Sequence, residues 1–150
     1  MIALLQRVTS ASVQIENVIK SQIGKGLLVL VGIENADTTE DVEWLSSKII
    51  NLRIFNDGEG VMNLCIKNID GDILVVSQFT LHASTKKGNR PSYIKAAKSD
   101  VAILLYQKFV KSLSEQLSKS VSTGEFGADM KVSLANDGPV TIIIDSKDRK

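Results

Sequence analysis

The chain has 150 residues, 43% of them hydrophobic and 23% charged, with a net charge of +1, so it fits a single domain over residues 1–150 and carries no global charge with which to hold a nucleic acid. One cysteine, Cys65, excludes an internal disulfide and any cysteine-rich zinc site and suits a reducing compartment. No apolar run approaches the roughly 20 residues of a membrane span, and Met1-Ile2-Ala3 with Arg7 close behind lacks a signal-peptide layout, so the expectation is a cytoplasmic protein with no membrane association.

Residues 2–8 are rich in β-formers, and Val13 and Ile15, then Val18 and Ile23, flank a hairpin turn at Glu16-Asn17. Residues 27–33 are apolar on both faces, as in a central strand. Residues 37–52 place Val42, Leu45, Ile49 and Leu52 at helical spacing, with Asp37 as the expected cap and Glu40 completing a capping-box pair. Residues 53–55 form a short strand and 56–60 a turn, and Asp70-Gly71 launches a strand over 73–79. Residues 83–99 form a polar loop that holds Lys86, Lys87, Arg90, Lys95 and Lys98 and no acid. Residues 99–117 form a second helix, capped by Ser99, with Val101, Leu104, Leu105, Phe109 and Leu113 as its apolar stripe. Strands over 131–135 and 140–145 are joined by Asn136-Asp137-Gly138-Pro139, and residues 146–150 read as a solvated tail. The sum is an α+β fold, a largely antiparallel sheet with two long helices packed on it. Helices that connect strands also permit parallel pairs.

The chemistry-bearing residues are few. The sole histidine, His82, is all that a Ser-His-Asp or Cys-His arrangement could use. There is no metal-ligand cluster and no Walker-type phosphate loop, so neither metal nor cofactor is expected. Ser77-Gln78-Phe79-Thr80 ends the apolar run Ile73-Leu74-Val75-Val76, offering hydroxyls, an amide and a flat ring where ligand contacts concentrate; the plainer alternative is a strand entering a turn. A cis peptide at Gly138-Pro139 would aim carbonyl oxygens to one side as an acceptor pair for an ammonium group. The plainer alternative is an ordinary connection, since only about 5–6% of X-Pro bonds in folded proteins are cis. Lys86, Lys87 and Arg90 offer charge to phosphates and Tyr93 a ring to a base, or the loop is simply solvated. Arg7 has a planar donor fork suited to carbonyls or a phosphate, or it makes a surface ion pair. Cys65 reads as a small core residue and Trp44 as packing or interface.

Several longer strings carry a resemblance: Gln6-Arg7-Val8, Gly24-Lys25-Gly26-Leu27-Leu28-Val29, Met62-Asn63-Leu64, Lys87-Gly88-Asn89-Arg90-Pro91-Ser92 and Thr123-Gly124-Glu125-Phe126-Gly127-Ala128-Asp129-Met130. With Ser77-Gln78-Phe79-Thr80 and Asn136-Asp137-Gly138-Pro139-Val140-Thr141, they make residues 1–145 resemble the D-aminoacyl-tRNA deacylase family. The resemblance implies a barrel-like sheet, a homodimer with active sites near the subunit interface, aminoacyl-tRNA as substrate and hydrolysis of its ester. It implies that Ser77, Gln78, Phe79 and Thr80 line a pocket for the terminal adenosine, with Phe126 and Met130 completing the wall. It further implies that a cis Gly138-Pro139 turn, oriented by Arg7, enters the partner's pocket as a chiral gate. One departure is His82, where the family usually has tyrosine.

Ester hydrolysis needs an oriented water, a base and donors for the developing oxyanion. In one route the Thr80 hydroxyl is nucleophile or water-positioning group, but threonine needs a neighbouring base and the sequence shows none. In the other, favoured for that reason, backbone amides at Phe79 and Thr80 hold the oxyanion and the tRNA 2′-OH assists the water. A non-catalytic dimer that binds tRNA 3′ ends is the alternative reading.

Overall fold

The computed structural model describes all of residues 1–150. The first strand, β1 (Ile2–Ile15), turns through Glu16 and Asn17 into β2 (Val18–Ile23). These two turn residues have φ of +49° and +63°, the left-handed pair that matches the twist of a tight hairpin. β1 then pairs antiparallel with β3 (Gly26–Gly32) along residues 2–8 and with β8 (Lys131–Asp145) along its opposite edge.

The other pairings of this sheet are parallel. β6 (Asp72–Ser77) runs alongside β3, and the short β7 (Ser122–Thr123) alongside β6. Parallel neighbours need long crossovers, and here α1 (Thr39–Asn51) and α2 (Ser99–Leu117) lie within them. The sheet is therefore mixed, antiparallel along β1 and parallel across β3, β6 and β7. The Ser21 hydroxyl donates to the Thr123 carbonyl at 2.5 Å, which brings β2 against β7 and nearly closes the sheet into a barrel. A two-stranded ribbon, β4 (Phe55–Asn56) with β5 (Met62–Leu64), sits apart; its first strand lies slightly beyond the expected 53–55.

Strand alternation divides the core in two. Leu27, Val29 and Val31 of β3 and Val75 of β6 pack under the helices with Leu45, Ile49, Phe109 and Leu113. Leu28, Leu74 and Val76 face the inside of the curl with Val8, Ala11 and Val13.

Several local expectations shift. Thr38, not Asp37, caps α1, and Asp41 rather than Glu40 accepts its backbone N–H at 2.9 Å. Asp37 is occupied elsewhere: it accepts the Glu34 N–H at 2.8 Å and pairs with the Met1 ammonium. Ser99 is the first residue of α2 rather than its cap, and Lys98 precedes it in extended conformation. Val101 and Leu104 face outward, and Ala102 and Tyr106 take their places in the buried stripe. The two strands expected at the end are one, β8, interrupted by bulges opposite Arg7. The expected tail begins buried: the Ser146 hydroxyl donates to Asp41 at 2.7 Å and accepts from the Met1 ammonium at 2.9 Å. Lys147 pairs with Asp41 at 2.8 Å, and the Arg149 guanidinium lies 4.5 Å from the Trp44 ring centre. Cys65 is only partly buried, and the neighbouring Ile66 fills the core position.

Candidate functional site

Because β3 and β6 are parallel, their carboxyl ends meet at one edge of the sheet, and ligand sites in such sheets form outside those ends. A cleft of about 580 Å³ opens there, within the range of about 300–1,000 Å³ typical of small-molecule sites. Val31, Ile33 and Val76 form its floor, the first turn of α2 one side and residues 126–130 the other.

The rim is made where β6 stops. The Gln78 N–H still reaches the Val31 carbonyl at 2.8 Å, but Gln78 leaves the strand and the chain turns through a 3₁₀ helix, Phe79–His82. The turn packs onto β3 at Gly32, where a Cβ would lie 2.9 Å from the Gln78 carbonyl oxygen and 3.0 Å from the Leu81 Cβ. Only glycine permits that approach. Phe79 remains 58% exposed and meets Tyr93 edge to face, with ring centres 5.1 Å apart. The Gln78 amide donates to the Thr80 hydroxyl oxygen, and Thr80 makes no hydrogen bond with a carboxylate or imidazole. As the first two residues of the 3₁₀ turn, Phe79 and Thr80 have N–H groups with no acceptor inside it. His82 is buried beside Gly32, and its Nε2 has no partner.

On the opposite wall, Phe126 stacks obliquely on Tyr106 at 5.7 Å. The Tyr106 hydroxyl donates to the Val75 carbonyl at 3.2 Å, and burial pushes its phenol up to about 12. Met130 packs against Gly124, where a Cβ would meet its sulfur at 2.5 Å. The structure thus gathers Ser77, Gln78, Phe79, Phe126 and Met130 around one cleft. Lys98, named from sequence as one cation of the polar loop, and Asp129, which sequence gave no role, also line it.

Thr80 is half-buried just outside the cleft lining, and Arg7, Gly138 and Pro139 are not at the cleft of their own chain. The Gly138-Pro139 bond is cis, and both residues are exposed. Gly138 has φ of +125°, and a Cβ on it would lie 3.0 Å from Arg7 Nη2. Arg7 is 6% exposed. Its Nη1 donates to the Ile54 carbonyl at 2.7 Å and to Asn56 Oδ1 at 3.3 Å, its Nε to the Asp137 carbonyl at 3.1 Å. The Asp137 carboxylate is 3.4 Å away. Its fork therefore holds main-chain carbonyls from the interior and pairs in addition with the part-exposed Asp137 carboxylate. The Asn136 side chain braces the same turn by donating to the carbonyls of Arg7 and Val140 at 2.9 and 3.0 Å. An asparagine at the head of the Gly-Pro motif was the available signal for that role; nothing local in sequence marks Ile54 or Asn56.

Lys86, Lys87 and Arg90 occupy a loop closed by reciprocal backbone bonds between Ser84 and Ser92 at 2.8 and 2.9 Å. All three are exposed. No three His, Cys, Asp or Glu side chains group as a metal site would require, and no helix is long and apolar enough to cross a membrane.

The model of one family, described as D-Tyr-tRNA(Tyr) deacylase, matches residues 4–145. The chain belongs to that family. Curated relatives named D-aminoacyl-tRNA deacylase are 64% identical in Flavobacterium johnsoniae, 66% in Flavobacterium psychrophilum and 62% in Bacteroides thetaiotaomicron, each alignment covering 98% of both chains. A solved structure described as c-Myc DNA Unwinding Element Binding Protein is similar at a TM-score of 0.92 and 39% identity, over 97% of this chain and 98% of that one. Another, described as a probable eukaryotic D-amino acid tRNA deacylase, shares the fold at a TM-score of 0.82 and 19% identity, over 95% and 97% of the two chains. Members of the deacylase family thus align with the cleft, the Gly138-Pro139 turn and the basic loop alike, since all lie within residues 4–145.

Proposed function

We infer that this chain is a D-aminoacyl-tRNA deacylase, which adds water across the ester between a D-amino acid and the 3′ end of tRNA and releases both. The observation that carries this is family membership along residues 4–145, with relatives of that name above 60% identity over nearly the whole chain. The reaction is a proofreading step in translation and belongs in the cytoplasm with its substrate.

The terminal adenosine enters the cleft between Ser77, Gln78 and Phe79 on one wall and Phe126 and Met130 on the other. The ester then lies at the 3₁₀ turn, where the free N–H groups of Phe79 and Thr80 receive the developing oxyanion. Gln78 occupies the Thr80 oxygen and no base stands beside it, which favours a water assisted by the ribose 2′-OH over a threonine nucleophile. Lys86, Lys87 and Arg90 meet phosphates.

The working unit is a homodimer. Support comes from the position of Gly138 and Pro139: exposed, held by Arg7 and Asn136, and away from their own chain's cleft. Inserted into the partner's cleft, their carbonyls accept the substrate ammonium. An L side chain then points at the turn and clashes, a D side chain points outward, and glycine, with no side chain, is accepted.

The test is hydrolysis of matched D- and L-aminoacyl-tRNA. Release of the D-amino acid with the L-ester left intact is expected, and equal cleavage of both overturns the chiral gate. The second reading, a non-catalytic dimer that binds tRNA 3′ ends, has one finding in its favour, the similar structure described as a DNA-binding protein. It predicts retention of tRNA with no release of amino acid.

A further inference from the structure

We propose that Tyr93, with the outer part of Phe79, forms a stacking platform for the tRNA base next to the terminal adenosine, placed just outside the cleft. The inference rests on the deacylase reading and extends it from the reacting nucleotide to its neighbour. Phe79 lines the cleft whereas Tyr93 does not, so the pair leads outward from it. The two rings meet edge to face at 5.1 Å and 73°, an arrangement that leaves ring surface uncovered; Phe79 is 58% and Tyr93 39% exposed. Two exposed aromatic rings in contact on a surface otherwise rich in lysine form a platform that any base can stack on.

The backbone around Tyr93 is fixed. Ser92 is bonded in both directions to Ser84, and just beyond Tyr93 the Ala97 N–H reaches the Ile33 carbonyl at 2.9 Å. The ring is thus held between two anchored points rather than carried on a free loop. Charge complements it: Lys86, Lys87, Arg90, Lys95 and Lys98 are all exposed, the segment 81–99 contains no acid, and none of the five is engaged in an ion pair. Cations left free around stacked rings suit a single-stranded phosphate backbone. Lys98 lies at the cleft itself, across from Asp129, and Lys86, Lys95 and Lys147 line a neighbouring depression with Glu34 and Asp145, so the cations within reach of the platform are those of the loop rather than of a uniformly positive surface.

The experiment compares two substrates, a D-aminoacyl-tRNA and the corresponding D-aminoacyl-adenosine, which fills the cleft but lacks the neighbouring nucleotide. Tyr93→Ala is expected to lower kcat/KM on the tRNA substrate about tenfold, through KM, and to leave D-aminoacyl-adenosine hydrolysis unchanged; Tyr93→Phe retains activity on both. An equal fall on both substrates shows that Tyr93 merely holds Phe79, and no fall on either shows that the ring is idle; each result overturns the platform. Absence of hydrolysis of both substrates by the parent protein would instead refute the deacylase reading. In that event binding of uncharged tRNA still tests the platform: Tyr93→Ala should weaken it about tenfold, and unchanged binding overturns it.

Discussion

Arg7 Nε donates to the main-chain carbonyl of Asp137 across 3.1 Å, so a buried side chain of β1 fixes a turn in β8. The same guanidinium reaches Ile54 and Asn56, tying the turn to the β4–β5 ribbon. A lysine cannot span these acceptors, because its donors radiate from one nitrogen rather than a planar fork. Arg7→Lys is expected to cost about 2–3 kcal/mol in urea denaturation and to lower turnover by more than the loss of folded protein explains. A variant as stable and as active as the parent would show the fork to be dispensable.

Gly138 is the position least tolerant of a side chain in that turn. Its φ of +125° is strained for any other residue, and an added Cβ meets both Val140 and Arg7. Gly138→Ala is expected to cost about 1–3 kcal/mol of stability. Displacement of the turn should lower kcat/KM for the D-substrate on the order of a hundredfold and narrow the difference between D and L. Kinetics with both enantiomers at matched concentration read this directly; an unchanged D-to-L ratio removes the turn from chiral selection.

Thr80 provides the test of mechanism. With its oxygen engaged by Gln78 and no base attached, Thr80→Ala should keep turnover within about tenfold of the parent, since the proposed oxyanion donors are backbone groups. Near-complete loss of kcat with tRNA affinity intact would restore the threonine to the centre of the reaction. Replacing the terminal ribose 2′-OH by hydrogen should be the more damaging change.

Asp41 sets a pH limit on the fold. Burial raises its carboxyl, but bonds from Lys147, Ser146 and the Thr38 backbone outweigh that and hold it well below its ordinary 3.8. A carboxyl whose folded value is depressed contributes stability that is complete above the unfolded value and is lost as pH falls toward the folded one. Stability should therefore decline progressively below about pH 4. Asp41→Asn should be less stable at neutral pH and flatter across the acid range, as chemical denaturation at a series of pH values would reveal.

Salt dependence checks the basic loop. Each phosphate contact to a single strand contributes about 0.7 to the slope of log affinity against log salt. Removing Lys86, Lys87 and Arg90 together should lower that slope by about 2 and leave D-aminoacyl-adenosine hydrolysis intact. An unaltered slope would return these side chains to ordinary solvation.

Legibility from sequence followed the range of the interaction. The Glu16-Asn17 hairpin and both helices were visible because turn chemistry and periodicity are local. The α1 cap was displaced by one residue because Asp37 is claimed by the Met1 ammonium, a contact between distant segments. Val101 and Leu104 satisfied helical spacing yet face outward, since spacing alone does not say which side of α2 the sheet occupies. The residues gathered at the cleft entered through family resemblance; Ser77 to Thr80 had no more physical distinction in isolation than a strand end. The neighbours that hold Arg7, at Ile54 and Asn56, required the folded chain to be seen.

The pairing of β1 with β8 bears on how the protein is made. Ile2 lies opposite Asp145 and Gln14 opposite Lys131, so one whole edge of β1 has no partner until β8 has been translated. Long-range pairing of this kind makes folding slow, and an uncovered strand edge in the meantime invites association with other chains. β3 can cover the opposite edge of residues 2–8 early, because only a hairpin separates them. Nascent chains should therefore begin with β2 and β3 both paired to β1 and close the sheet only once β8 has emerged, which makes premature termination anywhere before β8 a route to aggregation rather than to a smaller folded enzyme.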